Sequence, residues 1–446
     1  MGEPSAVQGG GTPVSGAVRT RAPRRGGGRG NRRVYVLRSQ ASALLLVVAG
    51  AALGRLVPDW EGRSSGLGLA FDTSTAQAAL AAIAGSMITL AGFVVTAITL
   101  VVQTVQTMSP RLVGALGHFS RYVLLFGLLI GTALYALVAL SQIHGDQVPQ
   151  ITVTVAIALV LVDAAAVLVL LASLRHAVTG GGLARAVGDR LREVIDRTYP
   201  PGGGTGSPVA EEAGPSVASV VRRGRPGVLC GVSEARLTEL AARHGVRVRL
   251  TRAVGDFAGS GDTVARLDGD RIGPRLTARA AACFRYGAGR DVEQDAAYGF
   301  RLLADIAVRA LSPAVNDPTT AVQVLDEIED NLLRITGRPL GPAWLTDRSG
   351  RPRVFCPEPG WEEFVSVALD ETILYGAGNP QTVRRLHALF DRLLAVAPAD
   401  RRAAPAARAA ALDRLSAAAL TDPLMTRLAG RPDPQGLGGA VAQDAA

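Results

Sequence analysis

Few residues in this chain have the type and spacing for chemistry, and the missing types narrow the choice further. There are 47 arginines and no lysine, so no amine is available for a Schiff base, a Walker A phosphate loop, or the attachment of biotin or lipoate. Cys230, Cys283 and Cys356 are odd in number and lack metal-ligand spacing, which points to buried free thiols and to neither a disulfide framework nor a zinc centre. The histidines (His118, His144, His176, His244, His387) are scattered. No H-E-x-x-H string occurs, and no dinucleotide fingerprint follows a strand. We therefore assign no catalytic, cofactor-binding or metal residue, and enzymatic activity is uncertain but disfavoured.

Three groups of residues remain. Gly85, Thr89, Gly92, Thr96, Thr99, Gln103 and Gln106 recur at steps of four and three, forming a continuous small-or-polar stripe along one helix. Such a stripe either lets a neighbouring helix approach closely or lines a hydrated path. Asp163 stands in an otherwise apolar stretch, where a carboxylate is either ionised and reached by water or a partner, or protonated and bonded to a threonine of the stripe-bearing helix. Arg290, Asp295, Asp305, Asn316 and Asp317 form either a cytoplasmic polar site around a helical turn or a set of caps and an ion pair holding two helices.

The elements that must position these groups follow from hydropathy. Hydrophobic residues make up 48% of the chain and charged residues 19%, which is too apolar for an ordinary soluble domain. Thr73 to Pro110 carries no charge, and Tyr122 to Ser141 and Ile151 to Ala172 are as long as a membrane helix, the last broken only by Asp163. Ala41 to Val57 is shorter and flanked by Arg38 and Arg55, which can snorkel to the two interfaces. The expectation is four spans, at about 41–57, 79–107, 122–141 and 151–173.

Loop charge orients them. Arginines crowd before the first span, between the second and third, and after the fourth, whereas the other two loops hold only Arg63 among several acids. By the positive-inside rule both termini are cytoplasmic, in the inner membrane of a bacterium. Residues 1–37 read as a disordered Arg/Gly-rich tail that holds most of the formal +9 charge, so the basic balance describes a tail and no nucleic-acid partner is expected.

After a juxtamembrane helix and linker over 177–208, the cytoplasmic part reads as α+β. Residues 209–290 predict a small α/β unit with a hairpin or barrel: strands at 227–232, 246–250 and 281–286, a helix at 233–244, and punctuation by Gly255-Asp-Phe257. Residues 291–398 predict a helical subdomain. A helix capped by Asp291, with Gln294 reaching back, runs to Leu311, and a second is entered through Asn316-Asp317-Pro318 with Val322, Leu325, Ile328, Leu332 and Ile335 on one face. A hairpin at Asp347 to Gly350 and two further helices follow, and 399–446 reads as an Ala-rich, partly disordered tail.

The strings Met108-Ser-Pro-Arg-Leu112, Gly131-Thr-Ala-Leu-Tyr135, Gly255-Asp-Phe257 and Ala310-Leu-Ser-Pro-Ala-Val-Asn-Asp-Pro-Thr-Thr-Ala321 resemble the bacterial predicted membrane proteins grouped as domain of unknown function 2254, from about Arg38 to Pro398. The resemblance implies a multi-pass membrane region followed by a cytoplasmic domain and carries no assigned activity. Where a paired histidine is expected after the last span, this chain has Arg175-His176. Two functions are compatible with these readings. One is a homo-oligomer in the lipid bilayer whose second spans line a pore or transport path. The other is a membrane-anchored sensor or scaffold whose cytoplasmic domain binds a protein or small ligand.

Overall fold

The computed structural model describes residues 19–24, 30–61, 71–108, 119–143, 150–178, 180–201 and 218–438. Most of the expected tail and linker, the Ser109–Leu112 part of the first motif and the last eight residues lie outside the described residues. The chain forms two compact units, one of Gly27–Asp189 with Asp305–Glu327 and the other of Met1–Gly26, Arg190–Ala304 and Ile328–Ala446.

In the first unit, helices α1 (Gly30–Glu61), α2 (Thr73–Met108), α3 (Phe119–Leu140) and α4 (Gln150–Val178) contain the four expected spans. Their apolar stretches are Arg38–Trp60, Thr73–Leu100, Arg121–Leu140 and Gln150–Ala172. α2 begins six residues before the expected position because Asp72 caps it, accepting from the Ser74 hydroxyl and the Thr75 amide.

α1 and α3 meet along a seam of small residues. A Cβ on Gly127 would lie 2.7 Å from the Cα of Ala43, one on Gly131 would lie 2.7 Å from the Leu46 carbonyl oxygen, and one on Gly50 would collide with the Gly131 carbonyl. Lipid supplies no hydrophobic drive between helices, so van der Waals contact at such a seam does the holding. Gly50→Leu should therefore force α1 from α3 and lower stability by about 1–3 kcal/mol or more, while leucine in place of Ala41, which is exposed on α1, should be tolerated. Thermal unfolding in detergent checks both.

α3 is the hub of the four. One turn of it, Gly131-Thr-Ala-Leu-Tyr135, touches α1 through Gly131 and α4 through Tyr135, whose hydroxyl donates to the Thr152 carbonyl at 3.0 Å in a buried position. Ala133 and Leu129 pack with Met87, Ala91 and Val94 of α2. The string that carries the family resemblance is thus the place where one helix joins the other three.

Helix α5 (Gly180–Thr198), helix α8 (Ala296–Ala310) and helix α9 (Pro318–Thr336) contribute residues to both units. The second unit is built on a sheet of six strands, β1 (Arg19–Arg21), β2 (Ala218–Val221), β4 (Arg247–Leu250), β6 (Thr263–Asp268), β8 (Ala343–Thr346) and β9 (Pro352–Cys356), in the order β1-β8-β9-β4-β6-β2. A second sheet orders β5 (Phe257–Ala258), β3 (Gly227–Val232) and β7 (Phe284–Gly287) as β5-β3-β7. Around them lie α6 (Glu234–His244), α7 (Pro274–Ala281), α10 (Trp361–Gly376), α11 (Pro380–Val396), α12 (Ala403–Ala419) and α13 (Pro423–Ala429).

Several expectations need correction. The separation at residue 290 does not hold: β9 pairs parallel with β4, Val248 opposite Val354, so strands from both proposed subdomains share one sheet and one apolar core. The three strands β3, β5 and β7 lie within 209–290, but among the described residues they share that core and form no separate hairpin or barrel unit. The strand expected at 281–286 starts only at Phe284. Pro274 at the first turn and buried Leu276 and Ala280, one turn apart, make the preceding segment helix α7.

Asp291 caps only a short 3-10 turn, Val292–Gln294, and the Gln294 Oε1 accepts from the Val232 amide of β3. α8 starts afresh after Asp295, which accepts from the Tyr298 amide. Residues 19–21 belong to a sheet and not to a tail. The Ala-rich end is folded through 438, where Asp433 accepts from the Gln435 and Gly438 amides and Arg384 donates to the Gly436 carbonyl.

Among the helices, Phe300, Leu303, Ile328, Leu332, Ile335, Phe364, Leu386 and Phe390 are buried. Phe364 makes edge-on ring contacts with Tyr199 and Phe300 at centroid distances of 5.8 and 5.7 Å. All five apolar positions predicted on α9 are buried.

Candidate functional site

The stripe on α2 faces away from the other helices of its own chain. Ala76, Leu80, Ala84, Met87, Ala91 and Val94 bury one side of α2, whereas Gly85, Thr89, Gly92, Thr96, Thr99 and Gln103 are exposed. A Cβ added at Gly85 or Gly92 meets nothing within 4 Å. Among the described residues the close packing that the sequence allowed for this stripe is therefore absent; the small-residue seam lies instead between α1 and α3. The side chain of Gln106 lies outside the described residues.

The stripe's hydroxyls are satisfied locally. Thr89 donates to the Gly85 carbonyl, Thr96 to Gly92 and Thr99 to Val95, at 2.9, 3.0 and 2.9 Å. This back-bonding leaves each hydroxyl oxygen lone pairs directed outward. The result is a polar surface at apolar depth on a helix of 36 residues, about 54 Å long at 1.5 Å per residue. That exceeds a hydrocarbon core of about 30 Å.

Asp163 is fully buried on the packed side of α4. It is set against Thr132 of α3, which is likewise buried, and among the described residues neither side chain makes a hydrogen bond. The threonine facing it thus comes from the third span, not the second, and Asp163 does not join the α2 stripe.

The polar set expected around the helical turn is divided between the two units. Arg290 and Asp295 form a two-pronged pair, Nε to Oδ2 at 2.8 Å and Nη2 to Oδ1 at 3.0 Å, with the guanidinium 5.3 Å from the Tyr298 ring centre. Burial pushes the Asp295 carboxyl up, and the arginine beside it only partly offsets this. Gly255, at φ +103°, passes so close that a Cβ there would lie 2.5 Å from Asp295 Oδ2. The Gly-Asp-Phe string thereby closes over the ion pair with a conformation that suits glycine.

Asp305, Asn316 and Asp317 belong to the first unit. Asp317 caps α9, accepting from the Thr320 amide at 3.0 Å and the Thr320 hydroxyl. Asn316 takes the left-handed conformation (φ +47°) that lets its amide bond Ser312 while that of Asp317 bonds Ala310. Asn316 and Asp317 form turn and cap, whereas Asp305 lies within α8.

One cluster escaped the sequence reading. Arg19, Arg21 and Arg24 converge on Glu234 and Glu358, at the edge where β1 runs parallel to β8. Arg19 Nη2 lies 2.8 Å from Glu358 Oε2. Arg21 bridges both acids, with Nη1 2.7 Å from Glu234 and Nη2 2.5 Å from Glu358. Arg24 reaches both as well, at 3.4 and 3.2 Å, and lies 5.3 Å from the Tyr199 ring centre.

Burial pushes Glu358 up, but Arg24, Arg21 and Arg19 more than offset it and hold the carboxyl below the usual range. Arg21 is buried too, yet its bonds to Glu234 and the charge of Glu358 raise it above the ordinary arginine value. The alternation Arg19-Thr-Arg21 was the available signal, since a period of two puts both guanidiniums on one strand face. Its partners lie more than two hundred residues away in sequence, and an Arg/Gly-rich setting does not announce a strand.

Among the described residues no group of three or more His, Cys, Asp or Glu side chains is placed to hold a metal ion, and all three cysteines are buried and none is in a disulfide. Burial pushes the Cys356 and Cys283 thiols up, the opposite of what a reactive thiolate needs.

Comparison with known proteins agrees with this architecture. Two relatives, "Uncharacterized protein Mb1321c" of Mycobacterium bovis and "Uncharacterized protein Rv1290c" of Mycobacterium tuberculosis, are each 29% identical over 259 residues, which is 57% of this chain and 49% of each relative. The chain thus spans about half the length of the curated relatives it matches. No solved structure matches it. The model of the family described as "Predicted membrane protein (DUF2254)" matches residues 33–392, which cover the four apolar helices, both sheets but for β1, and α5 through most of α11, and the chain belongs to that family.

Proposed function

We infer that this protein is an oligomer in the inner membrane of a bacterium in which α2 helices from several copies face a common axis and line a path for ions or small polar solutes. The observation that carries the reading is the outward-facing stripe: Gly85 and Gly92 open onto empty space, and the threonines beside them expose polar atoms. A surface of this kind facing acyl chains gains nothing, whereas facing other copies it allows close approach or holds water. Gln103, and Gln106 beyond it, would stand at the inner mouth. Asp163, enclosed by α3, would act on helix packing and not on the permeating species.

Loop charge supports the orientation with both ends in the cytoplasm. The pairing of β1 with β8 supports it as well, since it keeps residues 19–21 and the C-terminal unit on one side of the bilayer, as an even number of crossings requires. The test is ion flux through liposomes holding the purified chain. Flux that stripe substitutions abolish supports the path, and its absence from wild type and variants alike removes it.

A second reading, a membrane-anchored sensor or scaffold, is favoured by one observation: the C-terminal unit has its own sheet and core, with buried carboxylates at an edge strand.

A further inference from the structure

The edge of the six-stranded sheet holds two acids that need cations. Glu358 and Glu234 have side chains only 9% and 12% exposed, and every ion pair they make among the described residues goes to Arg19, Arg21 or Arg24. Buried carboxylates without partners are costly, so the cleft is built around whatever supplies the guanidiniums.

Its other contacts read backbone and direction. Arg19 donates twice to the Gly341 carbonyl, at 3.2 and 2.8 Å. The Arg24 amide donates to Glu234 at 2.8 Å, and Thr346 donates to the Arg21 carbonyl at 3.3 Å. The paired residues run in parallel register, Arg19 with Ala343 through Arg21 with Leu345. Backbone pairing along an exposed edge, with pockets for alternate side chains, is how sheets bind extended peptides. Meanwhile β8 is paired on its other side with β9, so the remaining five strands stay joined to one another without β1.

We propose that the Glu234–Glu358 cleft beside β8 is a binding site for an extended arginine-x-arginine segment, occupied in this chain by residues 19–24 and exchangeable with the same chemistry supplied from another chain. The proposal stands on the soluble-side unit alone and holds whether or not α2 lines a path. Planar, two-pronged pairing selects arginine over lysine, which matches a segment that carries three arginines.

The test uses the full chain in detergent, with a protease site inserted between Gly26 and Gly28 and cut only after folding. The cut N-terminal segment should stay bound. An excess of a synthetic peptide of residues 17–26 should displace it, while the peptide with lysine in place of Arg19 and Arg21 should need at least about tenfold more to do so, the loss of roughly 1.4 kcal/mol. Glu358→Gln should release the segment on cutting.

Three results would each overturn the proposal. The cut segment could leave the unmodified cleft without competitor, it could resist saturating peptide, or it could be held as firmly by the Glu358→Gln chain.

Discussion

Ion flux through liposomes holding the purified protein should fall at least about tenfold when Thr96 and Thr99 are both replaced by leucine, with folding and insertion unchanged. Among the described residues the two hydroxyls bond only carbonyls of their own helix, Gly92 and Val95, and their side chains are exposed on the single chain, so the change removes no contact between helices of one chain. Leucine there replaces polar surface by apolar volume, and an apolar constriction closes a narrow path by excluding water. Val169→Leu makes a useful control, since Val169 is an exposed, outward residue of α4 and should leave flux unchanged. Equal flux in the double variant and the wild type would mean that the stripe does not line the path.

The largest effect on stability should come from the ion cluster between α9 and α11. Glu329 Oε2 lies 2.6 Å from Arg385 and Oε1 lies 2.8 Å from Arg392. The Glu329 and Arg385 side chains are 6% and 4% exposed, whereas that of Arg392 is 67% exposed. Removing the acid alone takes a close charged partner from a buried guanidinium, so Glu329→Leu should lower stability by about 1.5–3 kcal/mol. Replacing both partners by apolar residues of similar volume, Glu329→Leu with Arg385→Met, should restore most of that loss, because a desolvated pair is often no better than well-packed apolar residues. Thermal unfolding of the full chain in detergent checks both. If the single variant is no worse than the double, the cluster contributes nothing at this site.

Much of this architecture could be read from residue order alone, and the failures have common causes. The four spans follow from uncharged length, which is a local property. The buried face of α9 follows from helical period, and its cap from Asn316-Asp317-Pro318, again within one turn. The stripe on α2 was equally visible, yet periodicity says only that these residues share a face and not what that face meets. The other helices of the chain pack against the Leu80–Ala91–Val94 side.

Partners distant in sequence were not legible. Asp163 meets Thr132 of the third span and not the second, and β9 joins β4 across some hundred residues, which united two expected subdomains. Arg19 and Arg21 were hidden for a further reason. Strand prediction rests on apolar alternation, and in β1 the alternating residues are charged and satisfied by two acids from other elements.

The central claim is that the Gly85–Gln103 face of α2 lies between copies of this chain, and proximity tests it most directly. The three native cysteines are buried in the C-terminal unit, so single cysteines can be placed at Thr89, at Thr96 and, for contrast, at Val169, and treated in native membranes with a short bis-maleimide. The account predicts covalently linked copies from Thr89→Cys and Thr96→Cys and none from Val169→Cys. Uncrosslinked chains at both stripe positions, with linked chains from Val169→Cys, would contradict it.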